Sequence, residues 1–76
     1  MKTRKEVLEI VNDIRQSKDL APVVEIHDED RLREDLSLTS FDLAELTVKI
    51  EDIYDVDIFE DGLVGTIGEI ISKLEK

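Results

Sequence analysis

The pattern of apolar and polar positions predicts three amphipathic helices. In three segments, at about residues 3–17, 40–54 and 66–75, apolar side chains recur at spacings of three and four residues, which places them on one helix face. No segment shows the strict alternation typical of a strand, so we expect an all-α bundle in a single domain, residues 1–76. The stripes are Val7, Ile10, Val11 and Ile14 with Leu8 beside them, then Leu43, Leu46, Ile50 and Ile53, and finally Ile67, Ile70, Ile71 and Leu74.

Each predicted helix opens with the spacing of a capping box. A threonine is followed three residues later by an acidic residue, and this pair can satisfy backbone N–H groups that a helix start leaves unpaired. Because helical periodicity follows each pair, we interpret all three as helix starts. The pairs are Thr3 with Glu6, Thr39 with Asp42, and Thr66 with Glu69.

The segments between the helices differ in length and character. The first connection, about 18–39, is unusually long for a compact domain, so we expect its apolar residues to anchor it to the core. The second connection contains Phe59–Val64, which we expect to form one short helical turn and so a minor fourth helix. The anchors expected in the first connection are Val23, Val24, Ile26, Leu32 and Leu36.

Charge and composition exclude several classes of function. The chain carries a formal charge of −10, and residues 19–65 hold fifteen acidic and three basic groups, so nucleic acid and anionic membranes are poor partners. The lack of cysteine excludes disulfides, thiol catalysis and cysteine-ligated zinc. No apolar run is long enough for membrane insertion or a signal peptide. We therefore expect an acidic, monomeric, cytoplasmic domain.

The sequence gives little support for a catalytic site or a metal site. The one histidine, His27, lies in an acidic loop without any nucleophile signature around it, so we expect no enzyme activity. Calcium loops starting at Asp28 or Asp55 would need glycine at their sixth position, which is Arg33 or Glu60 instead. We expect no metal site, and the remaining interpretation of these acids is weak, loose cation association.

Ser40 is the candidate site for a covalent modification. It stands at the first position of the second predicted helix, where unpaired N–H groups favour an anion such as a phosphate ester. The run Glu34–Leu46, which reads EDLSLTSFDLAEL, resembles the phosphopantetheine attachment region of acyl carrier proteins. The run Ile50–Ile58 resembles the acid-aromatic end of that family's helix, and Thr66–Ile71 resembles the opening of its last helix.

This resemblance, which covers essentially the whole chain, implies a fold and a function. The fold would be an acyl-carrier-like bundle of three main helices and a short fourth. Ser40 would carry covalent 4′-phosphopantetheine, which holds an acyl or related group as a thioester. Partners would be a phosphopantetheinyl transferase and acyl-transferring or condensing enzymes with basic patches. The docking residues implied are Leu38, Phe41, Asp42, Glu45, Val48, Glu51 and Asp52.

Two positions depart from the family pattern. Thr39 stands where the family usually has aspartate, and Ser37 where it usually has glycine. These changes favour a specialised carrier, for a polyketide, modified lipid or aminoacyl pathway, over one for housekeeping fatty-acid synthesis. The alternative is an acyl-carrier-like interaction module that is never modified. Five apolar residues are candidates either for lining an acyl-chain cavity or for an ordinary core: Leu46, Ile50, Ile58, Ile67 and Ile71.

Overall fold

The chain folds into three helices, in agreement with the all-α prediction. The computed structural model describes residues 2–60, 62 and 64–75, and within them the helices are α1 (Lys2–Ser17), α2 (Ser40–Tyr54) and α3 (Ile67–Leu74). The described part of the chain contains no β-strand, only an isolated bridge between Arg31 and Thr66. None of the described helices is both long enough and apolar enough to cross a membrane.

Helix α1 forms the centre of the bundle and packs against both α2 and α3. Its predicted stripe is buried, with each of the four side chains at most 5% exposed, and Leu8 packs at the edge of the core. The stripe of α3 is buried in the same way, with Leu74 at the margin. Each helix has one apolar face, so the three faces together form one core.

Helix α2 follows its predicted stripe except near its end. Leu46 and Ile50 are fully buried and Leu43 is half-buried, but Ile53 is 54% exposed, so its predicted place in the core is wrong. The neighbouring Tyr54 packs against the core instead, and its hydroxyl donates a hydrogen bond to the Glu6 carboxylate of α1. Since adjacent helix residues point about 100° apart, Tyr54 facing α1 turns Ile53 toward solvent.

Two of the three predicted capping boxes are confirmed. Thr39 precedes α2 and Thr66 precedes α3, and in each case the side chain and backbone bonds of the box are both present. The box at Thr3 is wrong, because α1 already begins at Lys2 and Thr3 therefore lies inside the helix.

The long connection between α1 and α2 is packed rather than loose. Ile26, Leu32 and Leu36 are at most 3% exposed, as predicted, but Val24 is 92% exposed and is not an anchor. The reason lies at Val23, whose backbone N–H and carbonyl exchange hydrogen bonds of 2.9 and 3.1 Å with the Asn12 side chain. With Val23 held against α1, the next side chain points outward.

Backbone hydrogen bonds join this connection to the start of α3. The Leu32 N–H donates to the Gly65 carbonyl at 3.0 Å, and the Gly68 N–H donates to the Asp28 carbonyl at 2.9 Å. A Cβ on Gly68 would lie 3.0 Å from both the Asp28 carbonyl oxygen and its Cβ. A residue without a side chain is therefore what lets the loop and α3 approach so closely.

The expected fourth helix is not confirmed. Positions 61 and 63 of the segment Phe59–Val64 lie outside the described residues. Just before them, the Glu60 N–H donates to the Asp57 carbonyl at 3.1 Å, which closes a turn rather than a helix. Ile58 and Val64 anchor this connection in the core.

Candidate functional site

Ser40 lies where the sequence predicts, as the first residue of α2 directly after the N-cap Thr39. Its side chain is exposed, and its hydroxyl forms no hydrogen bond with any described residue. The hydroxyl of Thr39, by contrast, is occupied, because it accepts the Asp42 N–H at 3.2 Å. Of the two adjacent hydroxyls, Ser40 is therefore the one available for esterification.

Two cations, Arg15 in the last turn of α1 and Lys18 directly after the helix, hold the turn that leads to Ser40. Arg15 donates from its guanidinium to the Leu36 carbonyl at 2.6 Å, and the Lys18 ammonium donates to the Ser37 carbonyl at 2.8 Å. Ser37 itself has a φ of 61°, in the left-handed region that costs a residue with a side chain about 1–2 kcal/mol. The turn before Ser40 thus combines local strain with two charged hydrogen bonds.

Replacing Ser37 with glycine is expected to raise the free energy of unfolding by about 0.5–1 kcal/mol, because glycine adopts a positive φ without strain. Urea unfolding of the variant measures this gain. The matched control is Ser72→Gly in the exposed face of α3, where the same change removes a helix-compatible residue and lowers stability by about 0.5 kcal/mol. A loss of stability in Ser37→Gly would contradict the strain at this turn.

Asp42 is the one buried charged residue among the described positions, at 7% exposure. Its Oδ2 accepts the Thr39 N–H at 2.9 Å and the Lys18 ammonium at 2.6 Å. Burial works to raise the pKa of Asp42, but the hydrogen bonds from Lys18 and Thr39 outweigh it and hold the pKa below its ordinary value. The carboxylate is consequently charged, and its hydrogen bonds with Lys18 and Thr39 hold it at the start of α2.

A groove, which we call the Ser40 groove, opens beside the serine. It has a volume of about 460 Å³ and runs between α2 and the segment before α3, with mostly apolar walls. The five residues that were candidates for either an acyl-chain cavity or an ordinary core are at most 6% exposed and belong to the packed core. The Ser40 groove is lined by Arg33, Ser40, Leu43, Ala44, Phe59, Val64 and Gly65.

The exposed face of α2 contains most, but not all, of the residues expected to dock partners. Phe41 is 81% and Val48 67% exposed, although both are large apolar side chains. Glu51 and Asp52 are exposed and Glu45 is half-exposed. Two expected members are wrong: Leu38 is 2% exposed because it packs in the core, and Asp42 is buried by its pairing with Lys18. We call the remaining five residues the α2 face: Phe41, Glu45, Val48, Glu51 and Asp52.

His27 lies away from Ser40 in an exposed part of the long connection. Its Nε2 is 2.8 Å from the Glu25 carboxylate, and this hydrogen bond raises the pKa of the imidazole, assisted by the nearby Asp30 and Glu29. Among the residues that the structure describes, no group of three or more histidines or carboxylates is arranged to hold a metal ion.

Comparison with known proteins adds no identification. No family model matches the chain, and no curated protein or solved structure matches it. The function is therefore argued from the residues around Ser40.

Proposed function

We propose that this chain is a carrier protein that holds an acyl or related group as a thioester on 4′-phosphopantetheine attached to Ser40. The observation that carries the proposal is the exposed Ser40 hydroxyl, free of hydrogen bonds to the described residues, at the start of α2 beside an apolar groove. The sequence around Ser40, which resembles the attachment region of acyl carrier proteins, supports the same function.

Attachment uses coenzyme A as the donor. The Ser40 oxygen forms a bond to the phosphorus that bears pantetheine, the pyrophosphate bond of coenzyme A breaks, and adenosine 3′,5′-bisphosphate leaves. A base on a phosphopantetheinyl transferase takes the hydroxyl proton. The exposure of Ser40 suits this reaction, since a second protein must reach its oxygen, and the Thr39 cap holds the helix start in place meanwhile.

The residues present fit such a group. When bound, phosphopantetheine supplies the thiol that this cysteine-free chain lacks and that forms the thioester. The Ser40 groove begins at the attachment residue itself, and Leu43, Ala44 and Phe59 give it apolar walls against which an uncharged arm can lie. The packed core beneath offers a wall rather than a cavity, so the groove favours a short cargo.

The α2 face is suited to bind partner enzymes. Phe41, Glu45, Val48 and Asp52 lie at helical spacings of four, three and four residues, so they share one side of α2 next to Ser40. Two exposed apolar residues flanked by carboxylates match a basic patch with a small apolar centre. Charge attraction of this kind speeds encounter without tight binding, which lets a carrier leave each enzyme. We assign these partners to fatty-acid, polyketide or specialised lipid synthesis in the cytoplasm.

The test is the intact mass of the protein after incubation with coenzyme A and a broad-specificity phosphopantetheinyl transferase. The wild type is expected to gain one phosphopantetheine, and Ser40→Ala none, because the accepting oxygen is gone. The matched control is Ser72→Ala on the exposed face of α3, which is expected to gain the group as the wild type does. Modification of Ser40→Ala at another residue would contradict the assignment.

One observation favours a second candidate, an interaction module of the same architecture that is never modified. Thr39 replaces the aspartate that carriers usually have before the modified serine, and its side chain is used for capping. The same experiment separates the two. If several transferases leave the wild type unchanged while it still binds a partner through Phe41 and Val48, the interaction module is the correct function.

A further inference from the structure

Arg33 differs from the other three arginines of the chain. Arg4 binds the Asp28 carboxylate at 2.6 Å, Arg15 binds the Leu36 carbonyl at 2.6 Å, and Arg31 binds the Asp35 carboxylate at 3.2 Å. Arg33 forms no hydrogen bond or ion pair with any described residue. In a segment with fifteen acidic and three basic groups, a cation without a carboxylate partner in the described part of the chain is unexpected.

The location of Arg33 indicates a ligand for its guanidinium group. Arg33 lines the Ser40 groove together with Ser40 itself. It also lines a second, more open depression of about 520 Å³, together with Glu34, Ser37, Leu38 and Thr39. An anion on the Ser40 oxygen would therefore stand at the edge of a groove whose one basic lining residue is Arg33.

We propose that Arg33 is a positioning residue that pairs with the phosphate of the group carried by Ser40 and directs that group into the Ser40 groove. This inference rests on the proposed function. Guanidinium is the side chain that best matches phosphate oxygens, because its planar N–H groups can bind two of them at once. The second depression is bordered by the Glu34 carboxylate, which would repel a phosphate there, whereas the Ser40 groove has no acidic residue among its described lining residues.

Threonine at position 39 strengthens this arrangement. A carboxylate directly before Ser40 would compete with the phosphate for Arg33 and would add to the repulsion that a phosphate meets on a chain of charge −10. The Thr39 hydroxyl keeps the cap while removing that competitor. A phosphate on Ser40 would then meet Arg33 without competition from a carboxylate at position 39.

The test uses phosphoserine installed at position 40 of the full chain, whose second ionisation, ordinarily near pH 6, is followed by ³¹P NMR. A paired guanidinium stabilises the dianion, so Arg33→Gln is expected to raise the pKa of this phosphate by about 0.3–0.7 units relative to the wild type. Arg33→Lys is expected to restore part of the shift. The matched control, Arg31→Gln, removes an equal charge two residues away and is expected to raise the pKa by less than half as much, since Arg31 is paired with Asp35.

Two outcomes overturn the proposal: an unchanged phosphate pKa in Arg33→Gln, or an equal rise in Arg31→Gln, which would show a general charge effect. Incubation of the unphosphorylated chains with coenzyme A and transferase is run in parallel. If the wild type gains no phosphopantetheine while Arg33→Gln still shifts the phosphoserine pKa, the carrier function fails and the phosphate contact of Arg33 stands. If the wild type is loaded but the pKa does not move, the carrier function stands and the role of Arg33 fails.

Discussion

Replacing Leu38 with alanine is expected to lower the free energy of unfolding by about 2–5 kcal/mol, a large part of the total for a domain of this size. Leu38 is 2% exposed, and its backbone N–H donates to the Leu32 carbonyl at 3.1 Å, so the side chain is fixed among core residues. Truncation would remove buried apolar contacts and leave a cavity. The Thr39 cap fixes the neighbouring backbone at the start of α2, so the chain cannot easily move in to fill that cavity. Urea unfolding followed by circular dichroism measures the loss.

The matched control for Leu38→Ala is Phe41→Ala, three residues along the chain. Phe41 is 81% exposed, so its truncation is expected to change stability by less than about 0.5 kcal/mol. Binding to a partner enzyme is expected to respond in the opposite order, with Phe41→Ala weakening it and the milder Leu38→Val leaving it unchanged. A small stability change in Leu38→Ala would return this residue to the docking surface, where the sequence had placed it.

Leu38 and Asp42 were expected on the exposed docking surface but are buried, which shows where apolar periodicity no longer predicts exposure. Both lie at the junction between the long connection and α2, where burial depends on what packs from elsewhere in the chain. Asp42 is covered by Lys18, 24 residues away, and no local pattern predicts that pair. Within α2 the helical period correctly predicted the burial of Leu46 and Ile50 and the exposure of Val48, but it failed for Ile53, where Tyr54 packs against the core instead.

The fold itself was largely predictable because each helix carries a complete apolar stripe. Two helix starts were also predictable, since a capping box is a local device that involves four consecutive residues. The path of the long connection was not predictable, because it is set by distant partners such as Asn12, which holds Val23 and thereby exposes Val24.

The position of Ser40 at a helix start could be predicted from the neighbouring sequence. The groove could not, since Phe59 and Val64 reach it from another segment. The place of Arg33 beside the groove was not predicted either, and its one sequence signal is a basic side chain directly before the Glu34–Leu36 run.

Replacing Asp42 with alanine is expected to lower the free energy of unfolding by about 2 kcal/mol. The change removes the acceptor of the Thr39 N–H, worth about 1 kcal/mol as a cap, and leaves the Lys18 ammonium, whose side chain is 30% exposed, without its carboxylate. Asp52→Ala removes an exposed carboxylate from the same helix and is expected to change stability by less than about 0.5 kcal/mol. Equal losses in the two variants would mean that Asp42 acts only through net charge.

A double-mutant cycle with Lys18→Met separates the ion pair from the cap. If Lys18 and Asp42 interact directly, the double variant is expected to lose about 1 kcal/mol less than the sum of the two single losses. The remaining loss in Asp42→Ala then measures the cap alone. Additive losses would show that the 2.6 Å contact between the Lys18 ammonium and the Asp42 carboxylate contributes nothing to stability.

The contribution of Asp42 is also expected to depend on pH in one direction. Its pKa in the folded protein lies below the ordinary 3.8, so the unfolded chain takes up this proton first as the pH falls. The stabilisation is therefore complete at pH values well above 3.8 and is lost as the pH falls through the lower, folded-state pKa. The difference in unfolding free energy between wild type and Asp42→Ala, which cancels the other carboxylates, is expected to stay constant above about pH 5 and to shrink below 3.8. A difference that grows on acidification would mean that the buried carboxylate is destabilised by its surroundings, and that the Lys18 contact does not offset its burial.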